Sequence, residues 1–141
     1  MIRKITDDAT LKLVLASLNK EFNQVEDLNS ISNREVYGFF ENNELLGYIV
    51  WLKVVDIADI LNLFVFPEHR NSGKATALLQ ETIDTLKQSG ILTFYLEVRK
   101  SNTAVISLYE KIGFKKVREI KNYYKNEDGI AYIYGEMIWK F

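Results

Sequence analysis

Between the single proline of the chain, Pro67, and an amphipathic stretch that begins near Ser72 lies the polar hexapeptide Arg70-Asn71-Ser72-Gly73-Lys74-Ala75. A strand, a tight glycine turn and a helix start, in that order, aim backbone N–H groups and the positive end of a helix dipole at one spot. That is the chemistry of an anion site. The spacing restricts which anion. The phosphate loop of nucleotide hydrolases needs two glycines with four residues between them, followed by Lys-Ser/Thr, and a dinucleotide fingerprint needs three spaced glycines. Here Gly73 stands alone and alanine follows Lys74, so both are excluded. What remains is Arg-x-x-Gly-x-Ala, which by itself reads equally well as a plain helix-entry turn.

Composition bounds the rest of the chemistry. A chain of 141 residues that is 48% hydrophobic and 13% aromatic can bury one substantial core, so residues 1–141 are expected to form a single domain. Lys and Arg number 18 against 19 Asp and Glu, and the net charge of -1 with a pI near 5.9 gives no global field for nucleic acid. Any anion site must be local. With no cysteine there is no disulfide, no thiolate metal site and no cysteine nucleophile, and a lone histidine, His69, excludes a multi-histidine metal site. The longest apolar run, Leu45 to Leu52, falls short of the ~20 residues that span a bilayer, and Met1 to Thr10 lacks the apolar stretch of a signal peptide. The expectation is a cytoplasmic protein, monomer or homodimer, with no metal, nucleic-acid or membrane partner.

The elements that must position the loop are legible from periodicity. Ile2 to Ile5 alternates as a short strand, and Thr6-Asp7-Asp8 supplies cap chemistry for a helix bearing Leu11, Val14, Leu15 and Leu18. Glu21 to Arg34 is polar and reads as a second short helix or a mobile loop. Val36 to Phe40, a Glu41-Asn42-Asn43-Glu44 turn and Leu45 to Val54 predict a hairpin, followed by a strand over Ile57 to Phe66. Leu79, Ile83 and Leu86 predict a helix from Ser72 to Ser89, closed by Gly90. Ile91 to Val98, apolar on both faces, reads as a central strand. Ser101 or Asn102 is placed to cap a helix carrying Val105, Leu108, Tyr109 and Ile112, which Gly113 ends. Two last strands, Phe114 to Tyr123 and Ile130 to Met137, flank a turn at Asn126-Glu127-Asp128-Gly129.

After the loop come Leu96-Glu97-Val98-Arg99, Ser101-Asn102, Ala104, Leu108-Tyr109 and Gly113-Phe114, in that order. Together these residues resemble the GNAT family of acetyl-CoA dependent N-acetyltransferases. Its loop reads Arg/Gln-x-x-Gly-x-Gly/Ala, and its next motif reads Asn-x-x-Ala-x-x-Leu-Tyr-x-x-x-Gly-Phe. The resemblance runs from Leu61 to Tyr124, with Ala104 one place early and Val105 in the alanine slot. Within the family, Leu96 to Arg99 and Arg118 through Asn122-Tyr123-Tyr124 look most like the bacterial ribosomal-protein-alanine N-acetyltransferases. The family's Pro-Trp-Ser segment is absent from Lys20 to Arg34, and Glu127-Asp128 is followed by Gly129-Ile130 where the family has alanine. Both departures fall on the acceptor side.

The resemblance implies an α/β (α+β) fold with a mixed central sheet of about seven strands flanked by helices. It implies acetyl-CoA as acyl donor. Backbone groups of Leu63, Phe64 and Val65 would pair with the pantetheine arm as an added strand, and Arg70, Asn71, Ser72, Gly73, Lys74, Ala75 and Thr76 would hold the diphosphate, with Asn102 beside the coenzyme. Glu97 is cast as general base through water, Tyr109 as general acid to the leaving thiolate, and Tyr123 and Tyr124 as walls of the acceptor site. The acceptor is a protein N-terminal amine, with a small amine (amino acid, polyamine or aminoglycoside) or a non-catalytic acyl-CoA sensor as alternatives. Each assignment has a plainer counterpart. Tyr109 lies on an apolar helical stripe and reads as core, Glu97 reads as a strand-end partner of Arg99 or a lysine, and Trp51 and Trp139 read as packing. His69, Lys115, Lys116 and Lys121 read as solvated.

Overall fold

The computed structural model describes residues 1–24 and 26–136. The elements in chain order are β1 (Ile2–Lys4), α1 (Asp8–Phe22), α2 (Leu28–Ile31), β2 (Glu35–Glu41), β3 (Glu44–Val54), β4 (Ile57–Val65), α3 (Lys74–Gln88), β5 (Thr93–Arg99), α4 (Thr103–Ile112), β6 (Lys115–Tyr124) and β7 (Glu127–Gly135), with a 3-10 turn at Pro67–His69. The strands form a seven-stranded sheet in the order β1-β2-β3-β4-β5-β7-β6. It is mixed: β4 and β5 pair in parallel, and the β1–β2, β2–β3, β5–β7 and β6–β7 pairs are antiparallel. The chain divides into two compact units, Met1–Leu52 with Leu61–Glu81, and Lys53–Ile60 with the residues from Thr82 onward.

In the first unit, α1 starts because Asp7 accepts the Thr10 backbone N–H at 2.9 Å, and it stops where Asn23 turns left-handed. Its buried stripe of Leu11, Val14 and Leu18 packs with Ile31, Val36, Phe40, Tyr48, Val50 and Phe64. The polar segment from Glu21 to Arg34 holds the second helix, since Asp27 caps Ser30 and Ile31 is fully buried. The β2–β3 hairpin forms as expected, but Glu41 and Glu44 pair within the strands, so Asn42 and Asn43, both at positive φ, make a tighter two-residue turn. Helix α3 begins at Lys74, later than the apolar spacing suggests, because Asn71 and Gly73 are left-handed. Inside the core, Ser17 and Tyr48 share a 2.8 Å hydrogen bond, and burial pushes the Tyr48 phenol up to about 12. A folded-state value above the free-chain value of ~10 means that Tyr48 contributes stability fully present below pH ~10 and lost as pH rises toward its folded value. The melting temperature is therefore expected to hold steady from pH 7 to about 9.5 and then decline, and Tyr48→Phe should shallow that decline in a pH series of thermal melts.

In the second unit, β5 lies between the start of β4 and β7, with Ile57 to Asp59 opposite Thr93 to Tyr95. The strand begins at Thr93 and not at Ile91, because the Leu92 and Thr93 N–H groups both turn to the Asp56 carbonyl. Gly90 and Gly113 sit at positive φ and close α3 and α4 as the sequence predicts. The last turn is shorter than expected. Tyr124 pairs with Glu127 across Lys125 and Asn126, so Glu127, Asp128 and Gly129 belong to β7. An irregularity between Ile120 and Tyr124 absorbs the difference: Asn122 is left-handed, and its N–H is taken by the Asp128 side chain at 2.9 Å. Met137 and Trp139 lie outside the described residues; Trp51 is fully buried, as expected of a packing residue. Among the described residues no helix is long and apolar enough to cross a membrane.

Candidate active site

The loop after β4 lies in the first unit. Left-handed Asn71 (φ 62°) and Gly73 (φ 78°) flank Ser72, whose Oγ donates to the His69 carbonyl at 2.7 Å and accepts from Lys74 Nζ at 2.9 Å. The helical ladder starts only with the Ala77 N–H donating to Gly73 O at 3.0 Å. Among the described residues, the N–H groups of Asn71 through Thr76 therefore have no protein partner. Nothing lies within 4 Å of where a Cβ on Gly73 would sit, so the loop is open on that side. The chemistry fits a diphosphate: a run of amides, a helix start and the Arg70 and Lys74 cations. Arg70 spends one of its five donors on structure, its Nε donating to Val65 O at 2.7 Å while the guanidinium lies 5.0 Å from the Phe64 ring.

Strand β4 divides its backbone groups between two edges. A Cβ added at Gly47 would lie 2.9 Å from Phe64 O, and Phe66 N–H donates to Leu46 O, so the even-numbered residues turn to β3. Leu63 and Val65 then carry N–H and C=O groups on the opposite edge. Phe64 contributes a ring to the core, packed edge-on to Phe22 and Phe66.

The second unit holds the titratable cluster. Thr93, Tyr95 and Glu97 share one face of β5 by strand alternation. Tyr95 O–H donates to Glu97 Oε2 at 2.6 Å, and Tyr123 O–H donates to Oε1. Arg118 in turn hydrogen-bonds Tyr95, whose phenol is pushed up by burial and by Glu97. The hydrogen bond to Glu97 is also the main reason the Tyr123 phenol rises to about 12. Glu97 is thus a carboxylate oriented by two phenols, with lone pairs to spare on both oxygens. It is not the partner of Arg99, which pairs with Glu127 at 3.2 Å and lies 4.5 Å from the Tyr124 ring. Tyr124 meets Tyr123 edge-on at 5.0 Å, and a Cβ on Gly129 would press on both rings at 3.0 to 3.2 Å. The Asn122 irregularity and Gly129 together set the Tyr123 hydroxyl on Glu97.

Tyr109 is buried against Phe114, ring centroids 5.5 Å apart, and burial pushes its phenol far up. Asn102 occupies the cap position of α4, yet its side chain makes no cap bond. Ser101 does not cap either; its N–H and Oγ both donate to Glu127. The exposed Asn102 carboxamide is left uncommitted to the helix. His69 stands 3.9 Å from Glu68, and Lys116 pairs with Glu119 at 3.0 Å. Tyr95 joins the candidate site without having been a candidate from the sequence, and Arg118, which the sequence marks only as the start of the Arg118 to Tyr124 resemblance, joins it through Tyr95. The signal for Tyr95 was its position two residues before a strand carboxylate; Arg118 had none short of knowing the β6 register.

Residues 3–114 match the acetyltransferase (GNAT) family. The chain is 38% identical over 89 residues to the ribosomal protein bS18-alanine N-acetyltransferase of Escherichia coli strain K12, a match covering 63% of this chain and 60% of that relative's length. The crystal structure of the ribosomal-protein-S18-alanine N-acetyltransferase from Escherichia coli superposes with a TM-score of 0.83 at 25% identity, covering 99% of this chain and 96% of that one. A GNAT family acetyltransferase from Elizabethkingia anophelis, solved with acetyl-CoA bound, superposes with a TM-score of 0.81 at 22% identity, covering 96% and 97% of the two chains.

Proposed function

Because the chain belongs to the acetyltransferase (GNAT) family, we propose that it transfers the acetyl group of acetyl-CoA to a protein N-terminal α-amine. The observation that carries this reading is Tyr123, a 48% exposed residue whose hydroxyl holds the carboxylate proposed to take the proton. Likeness to the Escherichia coli enzyme named for a ribosomal-protein alanine supports the same acceptor. When bound, acetyl-CoA supplies a thioester carbonyl for the amine to attack and a thiolate to leave. The open amides from Asn71 to Thr76 hold its diphosphate, the Leu63 and Val65 backbone groups pair with its pantetheine amides, and Asn102 adds an uncommitted carboxamide. Arg70 and Lys74 add positive charge. The activity belongs to residues 1–141 acting as one domain.

Glu97 accepts the amine's proton, directly or through water. Its task is small for an α-amine of pKa ~8, about 1.4 kcal/mol at pH 7, against about 4.6 kcal/mol for a lysine near 10.4. A carboxylate flanked by the Tyr95 and Tyr123 phenols suits the easier proton. Tyr109 serves the leaving sulfur. Burial disfavours its phenolate, so it acts first as a hydrogen-bond donor to the developing thiolate, and full proton transfer is secondary. With no cysteine to carry an acyl group, attack is direct within a ternary complex.

Free-thiol release from acetyl-CoA, measured with alanine-initiated peptides and a panel of small amines, tests this reading. Peptides should turn over with intersecting double-reciprocal lines, whereas parallel lines or turnover of polyamines alone would contradict it. The pH profile is informative too. With the α-amine as the group that must lose a proton, kcat/KM should rise about tenfold per pH unit below ~8 and then level. Because Tyr109 keeps its proton far above its ordinary range, no descending limb is expected before pH ~10.

A further inference from the structure

Asn62 of β4 sits where an apolar residue would be expected. Along the strand the buried positions Ile60, Asn62 and Phe64 alternate with the more exposed Asp59, Leu61 and Leu63, so Asn62 shares the face of Phe64. That face is the one α1 covers: the Phe64 ring lies 5.8 Å from Phe22 of α1 and 5.8 Å from Tyr48. Asn62 is only 6% exposed, and its Oδ1 has no hydrogen-bond partner. A buried amide oxygen without a donor is a standing cost to the fold, and a ligand that brings an N–H removes it.

We propose that Asn62 binds the acceptor amine, its Oδ1 accepting a hydrogen bond from the amine N–H. The inference rests on the N-acetyltransferase reading and narrows it. The two N–H donors available are the pantetheine amides and the acceptor. Pantetheine, paired with Leu63 and Val65, lies along the strand edge in the plane of the sheet, whereas the Asn62 side chain stands out of that plane. A group approaching the α1 face is therefore what it meets, and that group is the amine. The oxygen only accepts, so it favours an N–H and discriminates against an ester or hydroxyl that arrives as an acceptor. Fixing the amine by one N–H leaves its lone pair free to react, which makes Asn62 a binding and orienting residue and not a base.

Asn62→Leu, with Asn62→Ala as the variant free of any packing clash, and Asn62→Asp, which keeps an acceptor oxygen, test the assignment on the full chain. For the leucine and alanine variants the KM for an alanine-initiated peptide should rise about tenfold or more, the Kd for coenzyme A should stay within twofold, and the leucine variant should melt no lower than the parent. Asn62→Asp should recover most of the lost peptide KM. An unchanged peptide KM in both apolar variants, a coenzyme A Kd that weakens in step, or a melting temperature that falls with the loss of KM would each overturn the proposal. A second readout keeps this separate from the enzymatic reading. Titration of the same peptide into the coenzyme-bound parent should shift the Asn62 side-chain amide resonance in a nitrogen-proton correlation spectrum. If the parent acetylates no amine, the proposed activity fails; if that resonance stays still, the Asn62 assignment fails by itself.

Discussion

Replacing Glu97 by glutamine is expected to lower kcat/KM for a peptide acceptor by about 100-fold or more at pH 7, the usual scale for losing a general base. Coenzyme A affinity and melting temperature should hardly move, because glutamine still offers one oxygen to the Tyr95 and Tyr123 hydroxyls. The second oxygen becomes a donor facing a phenol that itself donates, so one of the two hydroxyls must turn away. If Glu97 serves to remove the ammonium proton, the deficit should shrink as the buffer does that work, becoming visibly smaller at pH 9.5 than at pH 7. A deficit independent of pH would move Glu97 from base to scaffold. Tyr123→Phe and Tyr95→Phe remove one phenol each and leave the carboxylate in place, so drops of about tenfold in kcat are expected, the size of a lost hydrogen bond to a charged group.

Gly73→Glu should weaken coenzyme A binding by about 100-fold or more in a calorimetric titration. Three effects add. Gly73 has φ 78°, which costs a residue with a Cβ about 1–2 kcal/mol. The new side chain enters open space beside Gly73, and on the proposed reading its carboxylate would oppose a diphosphate held by the Asn71 to Thr76 amides. Gly73→Ala carries only the first effect and part of the second, so about tenfold is expected. Equal affinities for the parent and the glutamate variant would remove the diphosphate from this loop.

The order of elements was legible because each carries its own punctuation: Asp7 before α1, Asn42-Asn43 in the hairpin, and Gly90 and Gly113 after α3 and α4. The errors fall where side chains replace backbone partners. Asp128 substitutes for a ladder carbonyl at Asn122 and so extends β7 back to Glu127, and Glu127 captures Ser101, which a propensity argument makes a helix cap. Neither exchange can be read from local spacing, since the partners are brought together only by the β6–β7 register. The same holds for the candidate site. The anion loop is local and was visible as Arg-x-x-Gly-x-Ala, whereas the Arg118, Tyr95, Glu97 and Tyr123 cluster joins β5 to both ends of β6. Asn62 is the reverse case: the residue is visible in the sequence, but its lack of a partner emerges only once the strand is packed.

The most direct test of the acceptor assignment uses one peptide bearing both a free N-terminal alanine and an internal lysine, incubated with the protein and acetyl-CoA and mapped by tandem mass spectrometry. Acetylation confined to the α-amine is the expected result, and acetyl on the lysine alone, or on neither amine while a polyamine is consumed, would contradict it.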